Sequence, residues 1–236
     1  MLTSYIIHMA TSEARKPLVD ALCQALPNPQ ILDAVVGRDL DAGELAELYS
    51  GSLYQPKYPF DLSLGEIGCF LSHRKAWQRI VDSGDKAGLI VEDDIVLGDG
   101  FQASLDLSRD HIDENRLIRF PLRDKEEVQD LVASSGSIQL FRPKVIGLTT
   151  GLQIVGRDAA ARLLSMTAQI DRPVDSFLQM RWLTGIDTLT IAPAPVASAA
   201  TAKGSSTIQS HQSVWAEIKR SWHRARYRAA VKRLSG

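Results

Sequence analysis

Three consecutive acidic residues carry the clearest chemical signal in the sequence. Glu92, Asp93 and Asp94 directly follow the apolar run Leu89-Ile90-Val91. Carboxylates this close repel one another, and a hard divalent cation would offset that cost. Mg²⁺ and Mn²⁺ prefer oxygen ligands, typically carboxylates completed by water and substrate phosphates. The acidic run therefore indicates a site for Mn²⁺ or Mg²⁺, and the alternative is a solvated acidic turn after a strand.

The elements around the acidic run predict how it is positioned. Short β-rich runs alternate with helical patterns in the first half of the chain, which favours an α/β fold with a mostly parallel central sheet flanked by helices. In open sheets of this kind, ligands bind at the carboxyl ends of the strands. A strand over 89–91 would place the acidic run at that edge. Further strands are predicted at 4–9, 31–36, 95–97, 117–120, 152–155 and 188–192.

The best-defined helix follows an S-x-x-E pattern. Ser63 and Glu66 form a capping box, in which the two side chains satisfy free amides at the start of a helix. The apolar residues that follow recur at helical spacing, which predicts a helix over 64–82 that ends before Gly84. Other helices are predicted at 11–25, 41–48, about 125–133, 157–166 and 174–184, with an aromatic loop at 51–61.

Composition excludes several classes of protein. The 236 residues are 44% hydrophobic and 23% charged, which is typical of a globular chain. No apolar run approaches the roughly 18 residues that a membrane-spanning helix needs, and residues 1–5 lack the features of a signal peptide, so we expect a cytoplasmic location. Cys23 and Cys69 are far apart, without metal-ligand spacing, and are expected to be reduced thiols.

Charge divides the chain into an acidic body and a basic end. Residues 214–236 contain seven basic residues and one acid, a net charge of +6, which leaves −7 for residues 1–213. An apolar stripe in this end predicts a basic amphipathic helix. Such a helix fits the cytoplasmic face of an anionic inner membrane, and the alternative is a helix docked on the acidic body. The stripe consists of Trp215, Ile218, Trp222, Ala225 and Ala229.

Several motifs together resemble glycosyltransferase family 25, which includes lipooligosaccharide galactosyltransferases of bacteria and collagen-modifying relatives. The run from Leu62 to His73, then Trp77 and the acidic run, match the family in residues and spacing. Downstream, 117–120 resembles its short strand, 151–164 its glycine, strand and helix, and Arg172-Pro173-Val174-Asp175 its P-V-D motif. The resemblance covers residues 4–196.

Two positions depart from the family pattern. The first strand ends in His8-Met9 followed by Arg15 alone, where the family has Asn-Leu followed by arginines. Leu152 stands where the family has an aromatic residue after the glycine. The first departure concerns the contacts to the base and ribose of the donor, and the second concerns the choice of acceptor.

The resemblance implies a GT-A type fold that binds nucleotide sugars. It implies metal-dependent, inverting transfer of a hexose, with galactose expected, from a UDP-sugar to a hydroxyl of a cell-surface glycan or lipid-linked saccharide. Residues 1–196 would form the catalytic domain, 197–213 an Ala/Ser/Thr-rich linker and 214–236 the basic tail. The acidic body argues against nucleic acid as a partner.

The resemblance also suggests roles for individual residues. Asp94, with Glu92 or Asp93, would hold Mn²⁺ or Mg²⁺ against the donor diphosphate. Asp175 follows Pro173 at the start of a predicted helix and is the expected base for the acceptor hydroxyl, although it could be an ordinary N-cap. The residues expected to contact substrate are Ile7, His8, Ser72, His73, Thr150 and Gly151, and His211 is a further candidate for the metal shell or a lid.

Two other functions remain open. The same acidic run could serve a metal-dependent sugar-nucleotide hydrolase, or the chain could be a non-catalytic sugar-nucleotide-binding partner in polysaccharide assembly. Hydrolysis without an acceptor would favour the first, and UDP binding without turnover the second. Neither a dinucleotide-binding glycine loop, a P-loop nor a G-x-S-x-G elbow is present, which removes the commonest rival α/β enzymes.

Overall fold

A computed structural model describes the backbone of residues 1–202 and 214–236, and the side chains of residues 1–200 and 220–236. The described chain contains one eight-stranded sheet and one two-stranded sheet. The strands are β1 (Thr3–His8), β2 (Pro29–Asp33), β3 (Ala87–Glu92), β4 (Ile95–Leu97), β5 (Arg116–Arg119), β6 (Val128–Ser135), β7 (Ile138–Pro143), β8 (Leu152–Gly156), β9 (Asp187–Ala192) and β10 (Val196–Ser198).

The large sheet has the order β2-β1-β3-β8-β5-β9-β7-β6. Strands β1, β2 and β3 are parallel neighbours, as are β5 and β9, whereas β8 and β7 run antiparallel to the strands beside them. Most of its strands therefore point the same way, which agrees with the predicted mostly parallel sheet. The small sheet pairs β4 with β10.

Helices cover both faces of the large sheet. Side chains of β3 alternate between the faces, so that Ile90 joins one apolar cluster and Leu89 and Val91 join the other. The first cluster contains residues of α3 and α5, and the second contains residues of α1 and α4. The helices are α1 (Lys16–Ala25), α2 (Ala42–Leu48), α3 (Leu64–Ser83), α4 (Phe101–Arg109), α5 (Arg157–Met166), α6 (Val174–Leu178), α7 (Arg181–Thr184), α8 (Ala199–Ala202) and α9 (Val214–Ser235).

The predicted start and end of α3 are confirmed. The Ser63 hydroxyl accepts from the Glu66 amide, and the Glu66 carboxylate accepts from the Ser63 amide, which completes the capping box. Gly84 ends the helix with φ +71°, a left-handed conformation that favours glycine. Trp77 and Ile80 are fully buried between α3 and the sheet.

One helix prediction in the second half is wrong, and another is confirmed only in part. The segment predicted as a helix at about 125–133 contains the edge strand β6, whose pairing with β7 shifts register between Val128 and Asp130 and again between Leu131 and Ala133. These irregularities interrupt the two-residue alternation that identifies a strand in a sequence. The helix predicted at 174–184 is divided into α6 and α7.

The C-terminal helix α9 contacts the body through a different face from the predicted stripe. Tyr227 and Val231 are buried, whereas Trp222 of the predicted stripe is 57% exposed. The reason is that Arg172 and Tyr58 of the body contact Tyr227 of α9. The predicted linker, residues 197–213, begins within β10 and α8. Its remaining part, residues 203–213 with His211, lies outside the described residues. The division into domains stays a prediction.

Candidate active site

The predicted site residues that the structure describes gather at one edge of the sheet. Ile7 and His8 end β1, beside the acidic run that ends β3. The chain before β8 meets the same edge, because the Gly151 carbonyl accepts the Glu92 amide at 2.8 Å. The remaining residues are Ser72 and His73 on α3, Thr150 before β8, and Asp175 in α6.

Asp93 is buried and paired on both carboxylate oxygens. His8 Nδ1 lies 2.8 Å from Oδ2 of Asp93, and the Arg15 guanidinium is hydrogen-bonded to Oδ1. The Asp93 amide also donates to the Ile7 carbonyl. The carboxylate is therefore compensated by the protein itself and joins β3 to the segment that follows β1.

Glu92 faces two hydrogen-bond donors on one oxygen. Its Oε1 lies 3.1 Å from Nε2 of the fully buried His73 and accepts the Thr150 hydroxyl at 2.6 Å. Burial raises the pKa of Glu92, but the hydrogen bond and charge of His73, the Thr150 hydroxyl and the Arg15 charge together bring that pKa below its ordinary value. Glu92 is thus held ionised, with Oε2 accepting no hydrogen bond within the described part of the chain.

Asp94 is much less compensated. Its Oδ2 accepts the Ser198 hydroxyl at 3.1 Å, and its other carboxylate oxygen has no hydrogen-bond donor among the residues that the structure describes. Burial and then the negative charge of Glu92 raise the pKa of Asp94 above 3.8, against weaker opposing effects of Arg15 and Ser198. A cation between Glu92 and Asp94 would relieve both effects.

Asp175 lies in the first turn of α6 and lines a cavity together with Glu92 and Asp94. The N-cap of this helix is Pro173, so the alternative of Asp175 as an ordinary N-cap is wrong. Its carboxylate accepts the Ser176 amide at 2.6 Å. Burial raises the pKa of Asp175, while hydrogen bonds from Ser176 and the Thr149 amide, and the Arg119 charge, act in the opposite direction.

These groups line two adjoining cavities. The first, called the β1 cavity, encloses about 480 Å³ between the ends of β1 and β2 and the start of α3. The second, called the acidic cavity, encloses about 380 Å³. Glu92 and Cys69 line both of them. Other residues of the β1 cavity include Ile7, Arg15, Val35, Arg38, Ser72 and Asp93, and those of the acidic cavity include Tyr58, Glu66, Asp94, Thr150, Gly151 and Asp175.

Close backbone approach builds one wall of the β1 cavity. A Cβ on Gly37 would lie 1.9 Å from the Leu64 carbonyl oxygen, and one on Gly68 would lie 2.6 Å from the Val35 carbonyl oxygen. Ser72 stabilises the contact between α3 and the segment after β2, since its hydroxyl donates to the Gly68 carbonyl and accepts from the Val35 amide. Ser72 therefore shapes the cavity through these internal hydrogen bonds.

A second possible metal cluster is chemically less suited. Ligand atoms of Cys69, His73 and Glu92 lie within 4.8 Å of one another. Although Cys69 has exposed surface, the protein atoms that crowd its thiol and the carboxylates around it raise the pKa of that thiol to about 12. Metal binding would have to displace the proton of this thiol, which costs more the higher its pKa lies. The carboxylate oxygens of Glu92 and Asp94 form the better donor set for Mn²⁺ or Mg²⁺.

Sequence reasoning missed Arg119 as a supporting residue. It is 3% exposed, forms an ion pair with Glu126, and donates to the Thr149 carbonyl at 3.0 Å. Thr149 has φ +107°, a conformation that a β-branched residue rarely adopts, and its amide faces Asp175. An arginine within the apolar run Leu117-Ile118-Arg119-Phe120 was the available signal, because a buried charge needs a specific partner.

The fold and these cavities define a class of protein with a ligand cleft at the strand ends of an α/β sheet. The chain belongs to glycosyltransferase family 25: the family model described as "Glycosyltransferase family 25 (LPS biosynthesis protein)" matches residues 1–178. This confirms the resemblance inferred from the sequence motifs. None of the described helices is both long and apolar enough to span a membrane.

Some relatives are named as galactosyltransferases, and others are named as inactive members of the family. Procollagen galactosyltransferase 2 of Homo sapiens is 27% identical over 196 residues, which is 75% of this chain and 30% of that protein. A Drosophila pseudoobscura pseudoobscura glycosyltransferase 25 family member is 33% identical over 61% of this chain and 24% of its own length. Inactive glycosyltransferase 25 family member 3 of Mus musculus is 33% identical over 43% of this chain and 18% of its own length. The chain spans less than a third of each of these relatives.

Proposed function

We propose that this chain is a metal-dependent, inverting glycosyltransferase with a GT-A type fold. It would transfer a hexose, with galactose expected, from a UDP-sugar to a hydroxyl of a cell-surface glycan or lipid-linked saccharide. The observation that carries the proposal is the arrangement around the acidic cavity. Among the described residues, Asp94 and Glu92 each have one carboxylate oxygen without a hydrogen-bond donor, and Asp175 lines the same cavity. Family membership and the galactosyltransferase names of relatives support it.

The donor set fits Mn²⁺ or Mg²⁺ through Glu92 and Asp94. Asp93 was the third candidate ligand, but His8 and Arg15 already occupy its two oxygens. A divalent ion held by Glu92 and Asp94 would neutralise the negative charge that develops on a departing diphosphate. His73 and Thr150 would fix the orientation of Glu92 for that role, in the manner of hydrogen-bonded ligands in other metal sites.

The β1 cavity is the proposed site for the nucleotide of the donor. Its volume of about 480 Å³ lies within the range of small-molecule sites, about 300–1,000 Å³. Apolar residues and backbone from the ends of β1 and β2 form much of its wall, which suits a uracil base. Because Glu92 lines both cavities, a diphosphate could extend from the β1 cavity toward Asp94.

Asp175 is the proposed base. In an inverting displacement, the acceptor oxygen bonds to the anomeric carbon, the bond from that carbon to the phosphate oxygen breaks, and UDP departs. The acceptor hydroxyl proton passes to the Asp175 carboxylate. The raised pKa of Asp175 suits this role, because a more basic carboxylate accepts a proton more readily. The Ser176 amide holds the carboxylate in place.

The outer side of α9 supports a proposed attachment to the cytoplasmic face of the inner membrane. Trp222 is exposed, and Arg226 lies over its ring at 5.6 Å. An exposed tryptophan among basic residues is typical of helices at an anionic lipid surface. Flotation with anionic and with neutral vesicles tests this, and binding to anionic vesicles that Trp222→Ala weakens is the expected result.

A transfer assay tests the proposed reaction against its two alternatives. Purified protein is incubated with a panel of UDP-sugars and Mn²⁺, with and without saccharide acceptors, and the released UDP is measured. Acceptor-dependent release that is fastest with UDP-galactose is expected. Release that does not need an acceptor would favour the hydrolase, and UDP binding without release would favour the non-catalytic partner. Asp175→Asn separates the cases further, since it should lower the transfer rate about 100-fold and leave UDP binding intact.

A further inference from the structure

A third cavity lies between α9 and the body, and we call it the α9 cavity. It encloses about 410 Å³. One face of α9 forms its wall through residues at helical spacing, so that Tyr227 and Val231 form an apolar floor. The basic residues on the same face are Arg224, Arg228 and Lys232. Tyr58 and Phe60 of the aromatic loop line the opposite side.

The α9 cavity adjoins the acidic cavity of the proposed active site. Tyr58, Leu148 and Ser176 line both the α9 cavity and the acidic cavity. Ser176 is the neighbour of Asp175, the proposed base. A saccharide with its reacting hydroxyl at Asp175 could therefore extend past Tyr58 toward α9.

The basic wall has positive charge that the described residues do not neutralise. In the described ranges 1–200 and 220–236, no carboxylate lies within 4.0 Å of the charged groups of Arg228 or Lys232. Glu126 also lines the cavity, but its carboxylate is bound by Arg119, the Thr190 hydroxyl and the Gly147 amide. Lys125 adds a further positive charge. The lining therefore attracts an anion.

The body holds α9 in a fixed position at this wall. The Tyr227 hydroxyl accepts a hydrogen bond from the fully buried Arg172 at 3.2 Å. The Tyr227 ring packs edge to face on Tyr58 at a centroid distance of 5.4 Å. Arg224 lies over the Phe60 ring at 5.5 Å. These contacts organise the wall before a ligand arrives, which lowers the cost of binding.

We propose that the α9 cavity binds an anionic group, a phosphate or a carboxylate, carried by the saccharide acceptor. Arg228 and Lys232 would contact the anion, and Tyr58 would pack against the adjoining sugar. The helix at the C-terminal end would thereby select anionic acceptors over neutral ones. This inference rests on the proposed function, because it makes the α9 cavity an extension of the acceptor site.

Binding of small anionic sugars to the full chain tests the inference. Ligand-observed NMR titrations at constant ionic strength give Kd values for glucose 6-phosphate, glucuronate and glucose, each with and without saturating UDP and Mn²⁺. The two anionic sugars distinguish a phosphate from a carboxylate as the source of the charge. The test variant is Arg228→Gln/Lys232→Gln. The matched control is Arg226→Gln/Arg233→Gln, which removes the same charge from the opposite side of α9.

The expected result is that at least one anionic sugar binds about tenfold more tightly than glucose, a difference of about 1.4 kcal/mol. The test variant should lose that advantage, and the control should keep it within about twofold, with UDP present or absent. An equal loss in both variants, no loss in the test variant, or no preference for anionic sugars would each overturn the inference. Failure of the proposed function would be distinguishable, because UDP would then not bind, whereas the Kd values of the sugars could still be measured without UDP.

Discussion

Asp93 and Asp94 are neighbours in the chain, yet the protein surrounds their carboxylates in opposite ways. Asp93 is paired with His8 and Arg15 on both oxygens. Asp94 has one described hydroxyl partner, and burial and Glu92 raise its pKa. Removing one partner from a buried ion pair destabilises the fold, because the remaining charge loses its compensation. A carboxylate in a cleft with a raised pKa and few partners is instead a candidate functional group. On the proposed function, the difference favours a structural role for Asp93 and a metal-binding role for Asp94.

The largest expected effect follows from removing the uncompensated charge. Asp94→Asn should lower the rate of hexose transfer about 1,000-fold, because a metal ion contributes several kcal/mol of charge stabilisation in the transition state. The melting temperature should stay the same or rise, since the variant removes the repulsion with Glu92. Initial rates with Mn²⁺ and a thermal melt measure both effects. A wild-type rate in this variant would contradict the metal-binding role proposed for Asp94.

Asp175→Asn should lower the transfer rate about 100-fold, the effect typical of losing a general base. Because burial raises the pKa of Asp175 above 3.8, the acidic limb of the wild-type rate profile should lie above that value, with activity lost as pH falls through it. A pH profile of kcat/KM measures this limb. A limb unchanged in Asp175→Asn would show that another group, such as Asp94 with its raised pKa, determines it.

The same raised pKa determines the effect of Asp175 on stability. The folded protein binds this proton more tightly than the unfolded chain does, so its stabilising contribution is present at low pH and is lost as pH rises through the folded pKa. Near neutral pH, Asp175→Asn should therefore keep or increase the melting temperature. A large decrease would instead indicate a structural role.

Asp93→Asn should have its main effect on stability. Removing this carboxylate leaves His8 and the half-exposed Arg15 without their partner, which should lower the free energy of unfolding by about 1–3 kcal/mol. Urea unfolding of Asp93→Asn and Asp94→Asn side by side measures the contrast. The comparison fails if Asp93→Asn unfolds like the wild type and loses as much activity as Asp94→Asn.

Thr150→Val tests the support of Glu92 and should have the smallest effect. It removes the 2.6 Å hydrogen bond to the Glu92 carboxylate, worth about 1 kcal/mol, and should lower the transfer rate about fivefold. Thr150→Ser restores the hydroxyl and should recover most of the rate. A rate in Thr150→Ser as low as in Thr150→Val would show that the methyl group, rather than the hydroxyl, matters.

Local signals in the sequence correctly predicted the helix and the strand that position the site. The capping box of Ser63 and Glu66 set the start of α3, and the apolar run before Glu92 set β3. Both signals lie within a few residues of the element that they predict. The placement of the acidic run at the carboxyl end of a parallel strand followed from them.

Long-range pairings could not be predicted in the same way. Arg15 and Asp93 are 78 residues apart, and no periodicity links them. The strand β6 lies at the edge of the sheet with mostly exposed side chains and two register shifts, so its pattern does not alternate. The docked face of α9 depends on Arg172 and Tyr58, whereas apolarity alone favoured the face with Trp222.

The central claim is that Asp94, and not Asp93, holds the metal that binds the donor. A thermal-shift titration with UDP, with and without Mn²⁺, tests it on the wild type, Asp94→Asn and Asp93→Asn. A ligand at 100 times its Kd stabilises the folded state by about 2.7 kcal/mol. We predict an upward shift of several degrees that requires Mn²⁺, is absent in Asp94→Asn and persists in Asp93→Asn. An equal shift in Asp94→Asn, or no shift in the wild type, would contradict it.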